Sequence, residues 1–139
     1  MEARWKDAWE RAQAYRAPAR PGQRKFFNYD SGPFPSGPLH LGHVRTYTLG
    51  DVTARYQRLR GRAVLHGTEW DAFGLPNELA AEAAGISPEE HTRTWIGVME
   101  GQLRALGIGY DWSRVHATCD PAYYRWTQKL FVDLMQRNL

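Results

Sequence analysis
The residues with the most chemical content lie in Pro33-Phe34-Pro35-Ser36-Gly37-Pro38-Leu39-His40-Leu41-Gly42-His43. This stretch follows a short apolar run, Phe26-Phe27-Asn28-Tyr29, and leads into a long amphipathic segment from Val44 to Leu59. That order reads as strand, tight Pro/Gly loop, helix start. The first N–H groups of a helix lack partners within it, so a helix start suits an anion. His40 and His43, three apart in the opening turn, share a face and add side-chain donors. Gly42 between them lets a flat ring approach the backbone. A metal pair is the competing reading, but no nearby Cys or carboxylate completes a ligand set, and no metal site is expected. The pattern favours a cradle for a nucleoside triphosphate.

Those residues need a frame, and the chain supplies one. Glu2 to Tyr15 reads as an amphipathic helix through Trp5, Ala8, Trp9 and Ala12, with residues 1–16 docking on the main body as a packing element. Ala17 to Gln23, with two prolines and a glycine, reads as a linker, and residues 24–139 as one domain. Lys25 to Asp30 is the first strand. A helix from Leu39 to about Arg60 stops at Gly61, and Ala63-Val64-Leu65-His66 is a second strand. Strand, helix and strand at this length make a βαβ unit in an α/β fold of parallel strands with flanking helices. Ligands in such sheets bind beyond the carboxyl ends of the strands, so the loops 33–38 and 67–73 should converge on one crevice.

Further on, Pro76 opens a short alanine-rich helix ending before Gly85. Ser87-Pro88-Glu89-Glu90 reads as a capped start in which Glu90 reaches back, and that helix stops at Gly107 with Trp95, Val98, Met99, Leu103 and Leu106 on its buried side. Tyr110 to Thr118 looks irregular or extended, and Asp120-Pro121 opens a last helix. Asp71, beyond the second strand, is placed to grip an ammonium group. Asp111 and Arg114 read as a structural polar pair, and Glu78, Glu82 and Glu89 as a solvated acidic face.

Composition agrees with a folded domain: the 139 residues are 42% hydrophobic and include six tryptophans. The net charge of +3 mildly favours a polyanionic partner, although the basic residues form no run. A single cysteine excludes an internal disulfide framework, suits a reducing compartment and reads as a packing residue. No apolar run is long enough to cross a bilayer and the start lacks a signal-peptide core, so a cytoplasmic location without membrane contact is expected.

His40-Leu41-Gly42-His43 resembles the HIGH motif of class I aminoacyl-tRNA synthetases. The flanking Pro35-Ser36-Gly37, Tyr47 to Val52, Trp70 to Pro76 and Gly109 to Arg114 are similar to the leucyl branch of that family. The resemblance runs over nearly the whole chain but covers only the N-terminal part of such a synthetase. It implies the N-terminal half of a Rossmann-type catalytic domain. It also implies ATP, with Mg2+ as its substrate complex, attacked by an amino-acid carboxylate to give an aminoacyl-adenylate that is passed to tRNA. On this resemblance His40 and His43 are catalytic; Phe34, Pro35, His40, Gly42, His43 and Thr46 bind ATP; Ser31, Gly32, Phe34, Glu69 and Asp71 bind the amino acid, leucine or an analogue.

The family's lysine-bearing KMSKS loop does not occur in these residues, so a complementing C-terminal polypeptide is a possible partner. Ser31 and Gly32 stand where the family usually has large apolar residues, Phe34 for Tyr, Thr46 for Asn, Glu69 for Gly and Asn77 for Ala. These departures suggest a divergent paralogue acting on a more polar or cationic amino acid. Two rivals from other classes are a non-catalytic ATP-binding regulatory module and a stand-alone nucleotidyltransferase.

Overall fold
The computed structural model describes residues 2–17 and 21–139. Its elements follow the order α1 (Glu2–Arg11), β1 (Lys25–Tyr29), α2 (Leu41–Leu59), β2 (Ala63–Gly67), α3 (Leu75–Ala84), α4 (Pro88–Leu106), a 3-10 turn (Trp112–Arg114) and α5 (Pro121–Gln136). β1 and β2 pair in parallel, with Phe26 opposite Val64 and Asn28 opposite His66, and α2 makes the crossover between them. The expected α/β unit of parallel strands with flanking helices is the one observed.

Local chemistry sets the element ends. Gly61, Gly85 and Gly107 follow α2, α3 and α4 in the left-handed region, where a side chain would be strained. Ser87 caps α4 by accepting the Glu90 N–H at 3.2 Å, and Pro88 fills the first turn, where a missing N–H does no harm. Of the reciprocal box expected there, the structure makes the Ser87 half.

The core lies where α2 and α4 meet the segments after β2 and after α4. Tyr47, Trp70, Ala72, Met99, Leu103, Ile108, Tyr110 and Ala117 form one buried cluster. On α4 the buried line is His91, Thr92, Met99 and Leu103. Val98 and Leu106, expected on that side, are instead 42% and 48% exposed. Val98 lies about 100° around the helix from Met99, and Leu106 is the last residue of α4.

α1 ends at Arg11, earlier than expected, because the chain leaves helical geometry at Gln13, which has φ of 47°. Its docking is polar rather than apolar. Lys6 Nζ donates to the Ala105 carbonyl at 2.6 Å and Arg104 reaches Glu10 at 3.0 Å, while no residue of α1 is buried. Of the expected linker 17–23, residues 18–20 lie outside the described residues. Asp111, 3% exposed, accepts from the N–H of Ala17 and from Ser113, and its N–H donates to His66 O; Arg114 lies 3.6 Å away. The pair is structural, as read.

Cys119 packs half-buried against the core, where burial pushes its thiol up. None of the described helices is long and apolar enough to cross a membrane.

Candidate functional site
The helix start differs in one respect from expectation, and the difference changes the donor set. α2 begins at Leu41, not Leu39, so His40 is the N-cap and His43 the third helical residue. The two imidazoles form a reciprocal capping box: His40 Nδ1 accepts the Gly42 N–H at 3.1 Å, and His43 Nδ1 accepts the His40 N–H at 3.2 Å. The first-turn N–H of Gly42 is therefore taken rather than free. A nitrogen that accepts an N–H carries no proton, so each ring is a neutral tautomer with its hydrogen on Nε2. The rings stack at a centroid distance of 3.9 Å and an interplanar angle of 29°. Burial and the neighbouring His40 hold His43 below the usual imidazole range, which keeps it neutral.

Gly42 has a second reason to lack a side chain. A β-carbon there would lie 2.8 Å from His40 Cε1, so the cap ring itself needs the space.

From the imidazoles a line of contacts runs to the other loop. His43 stacks on Tyr47 at 5.8 Å and 14°. Tyr47 O–H donates to the Ser31 carbonyl at 3.2 Å, and Pro33 O accepts the Asp71 N–H at 3.2 Å. The loops after β1 and β2 thus meet, as the βαβ reading required. Behind Asp71, Trp70 bridges Ala117 in parallel, and Ala72 N–H donates to Thr118 Oγ1 at 2.9 Å. Leu39 N–H is held by Gln102 Oε1 of α4 at 3.1 Å.

The structure brings Ser31, Gly32, Glu69 and Asp71 together at the ends of the strands. Gly32 sits so close to the Glu69 backbone that no side chain fits between them. The Glu69 carboxylate lies 3.4 Å from His116 Nε2. Asp71 is half-buried, and burial first, then the Glu69 charge, raises its carboxyl. Pro35 is buried in the loop, whereas Phe34 and Thr46 stand exposed to solvent.

Two groups of residues were missed in the sequence. Tyr47 links imidazoles to loop, and its place four residues after His43 was a legible signal. The second is a buried network below the loop: Asp30 Oδ2 takes Tyr110 O–H at 2.7 Å and His66 Nε2 at 2.9 Å, while Thr68 Oγ1 donates to Asp30 O. Burial, then Asp30, raises the Tyr110 phenol, and burial with Asp30 pushes Tyr47 up to about 12. No local pattern announces those long-range pairs. Among the described residues no group of three or more His, Cys, Asp and Glu side chains could hold a metal ion.

The comparisons bear on this geometry. The family model "tRNA synthetases class I (M)" matches residues 31–139. The chain belongs to the class I tRNA synthetases. Among curated relatives, leucine–tRNA ligases of Paramagnetospirillum magneticum and Halorhodospira halophila are 49% and 50% identical over 99% and 100% of this chain. It spans 16% and 17% of those proteins, about a sixth. Among solved structures, the Agrobacterium radiobacter K84 agnB2 LeuRS, in a ternary complex with tRNA and LeuAMS, superposes with a TM-score of 0.93 at 41% identity. That match covers 99% of this chain and 17% of the other. Mycobacterium tuberculosis methionyl-tRNA synthetase with methionyl-adenylate matches 73% of this chain and 20% of its own, with a TM-score of 0.69 and 28% identity. A Rossmann-type synthetase fold is thereby shown for this class I member.

Proposed function
We propose that this chain forms the ATP- and amino-acid-binding part of a leucine–tRNA ligase-like enzyme, which makes an aminoacyl-adenylate and passes the aminoacyl group to tRNA. The observation that carries the reading is the stacked pair of imidazoles at the start of α2, whose Nδ1 atoms are both taken by backbone N–H groups, which leaves Nε2–H on each ring as the donor for a ligand. Phosphoryl chemistry of this kind needs no protein nucleophile. It needs two anions held in line and donors aimed at charge that grows on phosphate oxygens. Neutral donors suit this, because a fixed dipole stabilises that charge without a proton to lose. ATP arrives as its Mg2+ complex, a substrate rather than a resident metal.

In this reading His40, Gly42, His43, Pro35, Phe34 and Thr46 face the nucleotide, while Ser31, Gly32, Glu69 and Asp71 face the amino acid, Asp71 pairing with its ammonium group. Leucine is the amino acid the relatives' names support. Residues 24–139 act as the nucleotide-binding unit and residues 1–16 as an element docked on it. The complete reaction draws on polypeptide beyond these residues, either in continuous chain or in a complementing C-terminal partner.

The test is calorimetric titration of Mg·ATP into this chain and into His40→Ala/His43→Ala, followed by leucine-dependent pyrophosphate exchange after joining to the C-terminal part of a leucine–tRNA ligase. Loss of exchange by about 100-fold or more in the double variant is expected. Exchange at the parental rate would overturn the assignment.

A further inference from the structure
Glu69 brings a second carboxylate to the place where the amino acid is expected, and two neighbours hold it. The first comes from a backbone register. Trp70 N–H donates to His116 O at 2.9 Å and Thr118 N–H donates to Trp70 O at 3.0 Å, so residues 116–118 run beside Trp70 and bring His116 to Glu69. There His116 Nε2 lies 3.4 Å from Glu69 Oε2. The imidazole also stacks on Tyr123 of α5, at 4.9 Å and 23°, which fixes the ring. Tyr29, the last residue of β1, is the second neighbour. Its phenol proton is held above the usual range by partial burial first, then by its hydrogen bond to Glu69 and by the charge of that carboxylate.

The stem of Glu69 has a different neighbour. A β-carbon on Gly32 would lie 2.9 Å from Glu69 Cγ, so the methylenes of Glu69 occupy the space into which a side chain at position 32 would project. The departures at Gly32 and Glu69 thus meet in space, a missing side chain facing an added one. The two ends of Glu69 suit opposite ligands. Its methylenes present hydrocarbon, whereas its carboxylate would lose hydration against a leucyl side chain and attract a cationic one. What holds the carboxylate decides which end the amino acid meets.

We propose that His116 is a positioning residue for the amino-acid site: with Tyr29 it clasps the Glu69 carboxylate, so that the bound amino acid meets the Glu69 methylenes and the site keeps its preference for a hydrocarbon side chain. This role rests on the leucine reading under Proposed function and adds what sustains it beside an acidic residue. His116 acts through Glu69 and needs no contact with the substrate.

The test measures dissociation constants of leucyl sulfamoyl-adenosine, lysyl sulfamoyl-adenosine and Mg·ATP by calorimetry, on this chain and its variants. The parent is expected to favour the leucyl analogue by at least about tenfold. His116→Ala should lower that ratio about tenfold, the leucyl analogue weakening and the lysyl analogue gaining, with Mg·ATP affinity unchanged. The His116 side chain is 42% exposed, so its truncation should leave the chain folded, and Mg·ATP binding checks this on the same sample. His116→Phe keeps a ring to stack on Tyr123 but has no donor, and should lower the ratio in the same way. His116→Gln keeps an N–H donor at that reach and should bring the ratio back, which repairing lost packing alone would not do. In a Glu69→Met background, with no carboxylate to release, His116→Ala should leave the ratio where Glu69→Met alone sets it. A ratio unmoved by His116→Ala and His116→Phe, not restored by His116→Gln, or lowered equally in the Glu69→Met background overturns the clasp and leaves the proposed function standing. A parent that binds Mg·ATP but prefers the lysyl analogue, or binds neither analogue, overturns the leucine site and the clasp while the nucleotide cradle stands. A parent that binds none of the three overturns all of them.

Discussion

A β-carbon on Gly32 would overlap the carbonyl oxygen of Glu69 and come within 2.9 Å of its Cγ. The loop after β1 and the loop after β2 are therefore in backbone contact at this pair. Gly32→Ala should cost roughly 1–3 kcal/mol, the usual range for forcing a methyl group into filled space. Because the obstacle is a main-chain oxygen, Glu69→Ala should not rescue it. At Gly37 in the same loop nothing lies within 4 Å of the corresponding position, so Gly37→Ala is the control and should stay within about 0.5 kcal/mol. Urea denaturation of Gly32→Ala, Glu69→Ala, the Gly32→Ala/Glu69→Ala double variant and Gly37→Ala checks the prediction; an unshifted midpoint in Gly32→Ala would show that the loops part freely.

His40 has two duties that substitution can separate. As N-cap it holds the Gly42 N–H, and as a neutral ring it offers Nε2–H. Asparagine is also a good cap but places no donor where Nε2 stood. His40→Asn should keep stability near the parent while weakening Mg·ATP binding about tenfold. His40→Ala should lose both, with about 1 kcal/mol of stability gone. Thermal unfolding and calorimetry on the same samples read the two effects apart.

The pH response of the helix start follows from His43. Its folded pKa lies below the ordinary imidazole value of 6.5, from burial and from His40. An imidazole depressed on folding binds its proton more readily in the unfolded chain, so its contribution is complete above about 6.5 and is lost as pH falls through the lowered folded value. Protonation would also remove the Nδ1 acceptor from the His40 N–H. His43→Gln keeps an acceptor at this third helical position and does not titrate. Stability of the parent should fall between pH 7 and 5 relative to that of His43→Gln, and urea midpoints across this range test it; parallel curves would refute the role of His43.

The buried network around Asp30 carries a fourth expectation. One carboxylate oxygen serves both Tyr110 O–H and His66 Nε2. His66 is wholly buried and its Nδ1 already lacks a partner. Asp30→Ala would strand both neighbours and should cost roughly 3 kcal/mol, whereas Tyr110→Phe removes one hydrogen bond and should cost about 1 kcal/mol. Equal losses in denaturation experiments would mean that Asp30 is held by something other than this shared oxygen.

What the sequence made legible was local. The Pro/Gly loop, the H-x-G-H start and the glycine stops lie in single short windows, and each marks a real boundary in the chain. The βαβ order was enough to predict that residues after Tyr29 and after Gly67 would meet. The two-residue displacement of the α2 start was not legible, because histidine is an uncommon cap and its mutual hydrogen bond with His43 depends on ring placement. Nor was the Asp30–His66–Tyr110 cluster, whose members are 36 and 80 positions from Asp30. The misplacement of Val98 and Leu106 has the same origin. Periodicity names a helical face, but the neighbours decide which edge of it is covered.

The last expectation concerns the two carboxylates after β2. Asp71 has a raised carboxyl, first because it is partly buried and then because Glu69 is near. An ammonium group binds the ionised form, so amino-acid affinity should weaken as pH falls through that raised value, above the ordinary carboxylate range of about 3.9. Glu69→Gln removes the second cause and leaves the first, so Asp71 should ionise at a lower pH and affinity should persist further into acid. Asp71→Asn should lose the ammonium contact at every pH, by about tenfold or more, because a charge-assisted pair becomes a neutral one. Calorimetric titration of a leucyl sulfamoyl-adenosine between pH 4.5 and 7.5 follows all three proteins. The reading fails if Asp71→Asn binds as the parent does, or if Glu69→Gln moves the acid limb upward, since removing a negative neighbour can only make the Asp71 proton leave more easily.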